Sequence, residues 1–241
     1  MRSAFSQAAI GRTVRDQEFV TALNQRVRLS DYRGRPLIVS LVYTSCADVC
    51  PVTSSALADA VVIAEDALGA DSFRVVTVGF DARHDTPDRM LAFARRNGLD
   101  SDTWQFLSGD GDAIDRLAED LGFLFYAAPQ GFDHMSQTTI LDAEGRVFRH
   151  VYGAGFEPQQ LVEPLKALVF GRQSTLTSWS GLVNQVRLVC TIYDPTSGKY
   201  RFDYSIFAMI GGGVLSLGAI AVILVRGAVR GWIRSRQLHR A

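Results

Sequence analysis

An almost unbroken apolar run, Leu37 to Tyr43 (LIVSLVY), leads directly into Thr44-Ser45-Cys46-Ala47-Asp48-Val49-Cys50-Pro51. A run of branched aliphatic residues with no alternating polar face suits a strand buried on both sides, in the middle of a sheet. Pro51 has a fixed φ and no N–H, so it fits best at the first position of a helix. That places Cys50 at the N-cap of a helix from Pro51 to about Leu68, with Gly69 just past its end. Two thiols therefore stand at the carboxyl end of a central strand, where open α/β sheets place their sites. At a helix N-terminus the unpaired N–H groups and the dipole favour thiolate over thiol.

Such a pair is a structural disulfide, a redox couple or part of a metal site. Thioredoxin-type redox motifs have two intervening residues and this loop has three. A structural bridge across so short a loop constrains few residues. A metal pair is the leading reading, with reversible disulfide formation second. A third ligand must come from elsewhere. His239 lies in a basic tail, His84 in a turn-like DARHDTP segment, and His150 in an alternating strand pattern that makes it a surface or edge residue. His134 falls in a loop just before a strand that ends at the Asp142–Gly145 turn, from which it can reach the cysteines. Position alone still favours a histidine satisfied by its neighbours. Met135 beside it is read as packing.

Around this centre the pattern predicts a small hairpin turning at Asn24 and Gln25, and a second buried strand, Phe73–Phe80, parallel to the first. Thr86 and Pro87 open a helix that ends at Asn97 and Gly98, and Asp81 and Asp85 take capping and turn roles. A short strand at Trp104–Leu107, a helix at Asp112–Leu121, an apolar segment at Phe123–Ala127, a hairpin of Gln137–Leu141 with Arg146–Tyr152 and a helix at Pro158–Phe170 follow. Residues 1–12 are expected to be a flexible lead-in, without the apolar core of a secretory signal.

After residue 170 the pattern weakens into a connector, 171–204, holding Cys190 and YDPTSGKY. Ile206–Val225 is free of charge and long enough to cross a bilayer, giving a transmembrane helix over about 205–226 and a basic tail over 227–241. Five of the 25 Lys and Arg (Arg226, Arg230, Arg234, Arg236, Arg240) follow Val225 with no acid among them, which leaves 20 basic against 25 acidic residues elsewhere. The arginines put the tail in the cytoplasm and the folded part outside, and an export signal is then expected upstream of residue 1. The mildly acidic body argues against nucleic-acid binding.

YTSCADVCP, together with GRPLIVS before it and VTVGFDARHDTPDRM and DHMSQTTILDAEGRV after it, resembles the SCO/SenC family over about residues 13–170. The resemblance implies an α/β thioredoxin-like domain, a central mixed sheet flanked by helices, which matches the predicted order of elements. It implies copper ligands at Cys46, Cys50 and His134, with Ala47 standing where the family usually has proline. It also implies a chaperone of the bacterial inner membrane, its soluble domain periplasmic, that takes copper from an upstream donor to the binuclear centre of cytochrome c oxidase subunit II. Family members with a C-terminal extension carry a similar YDP-x-x-GKY stretch. Two thiolates and an imidazole suit Cu(I) and, with an added oxygen, Cu(II). The chain is thus expected to be a metallochaperone more than an enzyme. The alternative is a thiol-disulfide reductase that uses the redox pair Cys46 and Cys50 alone and does not need His134. A membrane-coupled sensor lacks an output module, and a peroxidase site fits the paired loop badly.

Overall fold

A computed structural model describes residues 2–46, 49–99, 103–129, 131–171, 191–194 and 199–238. Cys190, His239 and most of the connector, together with Ala47 and Asp48, lie outside the described residues.

Strand β3, Leu37–Val42, is buried at every position. It is flanked by β4, Arg74–Gly79, in parallel, and by β8, Gln137–Leu141, in antiparallel register. The sheet has seven strands in the order β2-β1-β5-β4-β3-β8-β9, where β1 is Glu18–Thr21, β2 Arg26–Arg28, β5 Trp104–Ser108 and β9 Val147–Tyr152. Strands β3, β4 and β5 run parallel and the outer pairs antiparallel, so the sheet is mixed as expected. Helices α1 (Arg2–Gln7), α2 (Val49–Leu68), α3 (Pro87–Arg96), α4 (Gly111–Leu121) and α5 (Pro158–Gly171) complete the domain. The Thr86 hydroxyl caps α3 by accepting from the Arg89 N–H, and Asn24 takes the positive φ of 60° that the first hairpin requires.

Four expectations need correction. Helix α2 starts at Val49, so Cys50 lies inside its first turn and not at the N-cap. His134 is not in a loop: it ends β7, Gly131–His134, which pairs antiparallel with β6, Phe125–Ala128, in a separate two-stranded ribbon. His150 is not at the surface but 6% exposed. The cause is the N-terminal segment, which docks instead of forming a loose lead-in: Ser6 and Ala9 are fully buried. The Ser6 hydroxyl donates to Gln137 Oε1 (2.6 Å), and the Ser6 carbonyl accepts from His150 Nε2 (3.0 Å). A carbonyl only accepts, so Nε2 carries the ring proton, and Nδ1 accepts from the Thr139 hydroxyl at 3.0 Å.

Beyond α5, β10 (Thr191–Asp194) and β11 (Lys199–Phe202) form a second ribbon that packs on α2. The Tyr200 hydroxyl donates to Glu163 Oε1 at 3.0 Å, and Lys166 both pairs with Glu163 (3.0 Å) and lies over the Tyr200 ring. Helix α6, Ser205–Leu238, follows after two residues. Its segment Phe207–Arg226 has a mean hydropathy of 2.4, is unburied, and is long and apolar enough to cross a membrane.

Burial depresses the pKa of His150 below its ordinary 6.5. The fold binds the neutral ring, so this residue's contribution to stability is complete above pH 6.5 and is lost as pH falls through 6.5 toward the lower folded value. Urea denaturation at about pH 7.5 and about pH 5.5 should show a larger loss for the wild type than for His150→Gln.

Candidate metal and thiol site

The cysteine loop begins where β3 leaves the sheet. Tyr43 and Thr44 remain buried, and the Cys46 N–H turns back onto the Tyr43 carbonyl at 3.1 Å. Thr44 is held from both sides. Its N–H and hydroxyl donate to Asp85 Oδ1 at 2.8 and 2.7 Å, and its carbonyl accepts from Arg96 at 3.3 Å. The second Asp85 oxygen accepts the Asp81 N–H at 2.9 Å. Asp85 is 2% exposed; burial pushes its carboxyl pKa up, and these three hydrogen bonds pull it back. Gly79 makes room for it, since a Cβ there would lie 2.4 Å from that of Asp85. Asp85 is therefore a fastener for the thiol loop, a larger role than the turn and capping duty read from sequence.

Cys46 and Cys50 come together as thiols outside any disulfide, both buried. The Cys50 N–H donates to Cys46 Sγ at 3.3 Å, so a sulfur serves one of the unpaired donors at the start of α2. The dipole argument for a ready thiolate fails at Cys50. Burial pushes that thiol well above its ordinary value, outweighing a backbone hydrogen bond from Tyr43 that acts the other way.

His134 sits among aromatic rings, with centroids 5.3 Å from Phe80, 5.6 Å from Phe123 and 5.9 Å from Tyr43. Its Nδ1 lies 3.3 Å from the Met135 carbonyl, which can accept a hydrogen bond from that nitrogen. Among the described residues no three His, Cys, Asp or Glu side chains are gathered closely enough to hold an ion. His134 instead meets the cysteine loop through Tyr43. The Cys46 N–H bonds the Tyr43 carbonyl, and the pKa of the Tyr43 phenol is pushed up to about 12, by burial first and then by Cys46. Tyr43 was read from sequence only as strand. Its place as the last residue of an apolar run directly before the cysteines was the available signal.

A family model described as SCO1/SenC matches residues 7–169. The chain belongs to the SCO1/SenC family. Among curated relatives, the SCO1 protein homolog of Bacillus subtilis is 24% identical over 140 residues, which cover 56% of this chain and 70% of that protein. ScoI of Bradyrhizobium japonicum, solved with copper bound, has 20% identity and a TM-score of 0.56, over 66% of this SCO1/SenC chain and 99% of the other. BsSco, a member of the Sco family of cytochrome c oxidase assembly proteins in which a disulfide switch was identified, has 19% identity and a TM-score of 0.58, over 66% and 94%. The domain thus has the thioredoxin-like Sco fold. His84, exposed and 2.8 Å from Asp81, and the buried His150, bonded to the Ser6 carbonyl, each have a partner of their own.

Replacing Asp85 with Ala strands the buried N–H and hydroxyl of Thr44 and the part-buried N–H of Asp81, at a cost of about 2–4 kcal/mol. Denaturant titration should show Asp85→Ala less stable by that amount and Asp85→Asn, which keeps an acceptor toward Thr44, less affected.

Proposed function

We propose that this SCO1/SenC chain is a membrane-anchored copper chaperone, binding its cargo through Cys46, Cys50 and His134 and passing it to the binuclear site of cytochrome c oxidase subunit II. The observation that carries the reading is the pair of adjacent thiols where the chain passes from β3 into α2, with the His134 imidazole seated on the residue that leads into them. Two sulfurs and one nitrogen are a soft donor set that fits Cu(I). Three protein ligands leave the ion open to attack by an incoming thiolate, so it moves by ligand exchange, which a closed four-ligand site resists. Copper-bound ScoI relatives support the cargo, and the assembly role of BsSco supports the acceptor.

The raised pKa of Cys50 has a direct consequence. At neutral pH that thiol holds its proton, and a soft cation at the sulfur displaces it. Copper uptake is thus coupled to proton release. It also keeps Cys50 a poor nucleophile when no metal is bound, which weighs against the second reading, a thiol-disulfide reductase that maintains the acceptor's cysteines. That reading draws on the same thiol pair and on the disulfide switch of BsSco. The setting we propose is the bacterial inner membrane, with α6 as a single span, the folded domain periplasmic, an upstream copper donor on the same side, and the five C-terminal arginines in the cytoplasm.

Competition titration of the fully reduced protein with Cu(I) tests the assignment. One tightly held ion is expected, weakened by roughly 10–100-fold in His134→Ala. Binding that ignores His134 would shift the reading to the reductase. In the same assay the apparent affinity should rise with pH between about 6 and 8, by about tenfold per unit for each proton released.

A further inference from the structure

Ser6, Gln137, Thr139 and His150 are all buried, and their polar groups close into a circuit in which each proton has one direction. The Ser6 hydroxyl donates to Gln137 Oε1 (2.6 Å) and Gln137 Nε2 to the Thr139 hydroxyl (3.1 Å). That hydroxyl donates to His150 Nδ1 (3.0 Å), and His150 Nε2 donates back to the Ser6 carbonyl (3.0 Å). The Tyr152 hydroxyl donates to the Ser6 hydroxyl at 2.8 Å and accepts from Gln7 Nε2 at 2.6 Å. A buried polar circuit fixes a geometry more narrowly than apolar contact does, because a half-made one strands its members.

This circuit stands at the root of the ribbon that carries His134. The chain leaves α4 at Leu121, runs out along β6, returns along β7 and joins the main sheet at Gln137, the first residue of β8. Gln137 Nε2 also donates to the Leu121 carbonyl at 3.0 Å, across a separation of 16 positions, and so ties the two ends of the excursion together. The N-terminal segment lies against both ends. On the outgoing side Gly122 has φ +64°, and a Cβ there would stand 2.8 Å from Ser6 Cα and 3.0 Å from Ala9 Cβ. On the returning side Gln137 takes the Ser6 hydroxyl. His134 is three residues from Gln137, a reach of about 10–11 Å at full extension, so a displacement at the root is carried to the imidazole. We propose that residues 2–10 are a positioning element of the copper site: docked through Ser6 between the two ends of the excursion, they fix the root of the β6–β7 ribbon and thereby the place of His134 relative to Cys46 and Cys50. The inference rests on the copper reading above. A segment read from sequence as a loose lead-in thus governs how completely the third ligand is presented.

Ser6→Ala opens the circuit from the N-terminal side, and Gly122→Ala crowds Ser6 from the other, so each covers for the other where one does not fold. In the full-length, metal-free protein both should move the NMR signals of the His134 ring and speed amide exchange over residues 125–134. Both should weaken Cu(I) binding by roughly fivefold or more. Thr77→Val, which loses the buried 2.8 Å bond from Trp104 in β4 and β5, serves as a destabilised control and should keep wild-type affinity. A double-mutant cycle separates positioning from general loosening: in a His134→Ala background, Ser6→Ala should cost nothing further. Wild-type His134 signals and affinity in both variants would overturn the role, as would a loss in Ser6→Ala that persists undiminished without His134. A wild type that holds no copper would overturn the copper reading alone, because the metal-free signals and exchange still report whether residues 2–10 seat His134.

Discussion

Strand β3 is buried on both faces and paired on both edges, and the rest of the domain is arranged around that constraint. A strand so enclosed has one fixed direction of exit, and its last residues must satisfy their backbone groups as they leave the ladder. Thr44 does this through the buried Asp85 carboxylate and the Arg96 side chain, both supplied by the segment between β4 and the end of α3. The parallel neighbour of β3 therefore also holds the loop that β3 feeds. Cys46 enters at the end of the strand that feeds it, and Cys50 lies in the first turn of α2.

The parts legible in sequence were those whose signals are local. The LIVSLVY run, the Thr86–Pro87 cap and the 137–152 hairpin carry their own instructions in residue type and spacing, and the structure places them as read. The misreadings share a different cause. His150 looks like a strand residue facing solvent until Ser6, 144 positions earlier in the chain, closes over it. The ribbon bearing His134 is short, and its pairing of Phe125 with His134 leaves no periodic pattern long enough to distinguish strand from loop. At Cys50 the expected dipole effect is genuine but local, and burial by the surrounding domain outweighs it. Asp85 and Tyr43 were in plain view, but their roles depend on which side chains the fold brings against them.

The proposed chemistry uses this division between local and assembled features. The thiols are adjacent because only three residues separate them in the chain and the Cys50 N–H bonds the Cys46 sulfur. The imidazole comes from a separate ribbon, held by aromatic packing against Phe80, Phe123 and Tyr43. A ligand set divided between a fixed pair and an independently mounted third member suits a carrier that must both capture and surrender its cargo. A single rigid cage would favour retention.

The docked β10–β11 ribbon ends at Phe202 and α6 begins at Ser205, leaving only Asp203 and Tyr204 between them. Two residues span about 7–10 Å even when fully extended. With α6 in a bilayer, the domain has no leash. On the proposed anchoring it would ride close above the lipid headgroups, with β11 tied to α5 by Tyr200 and Glu163. Encounter with the proposed membrane-embedded acceptor would then be a search in two dimensions, at a height fixed by the fold and not by the length of a linker.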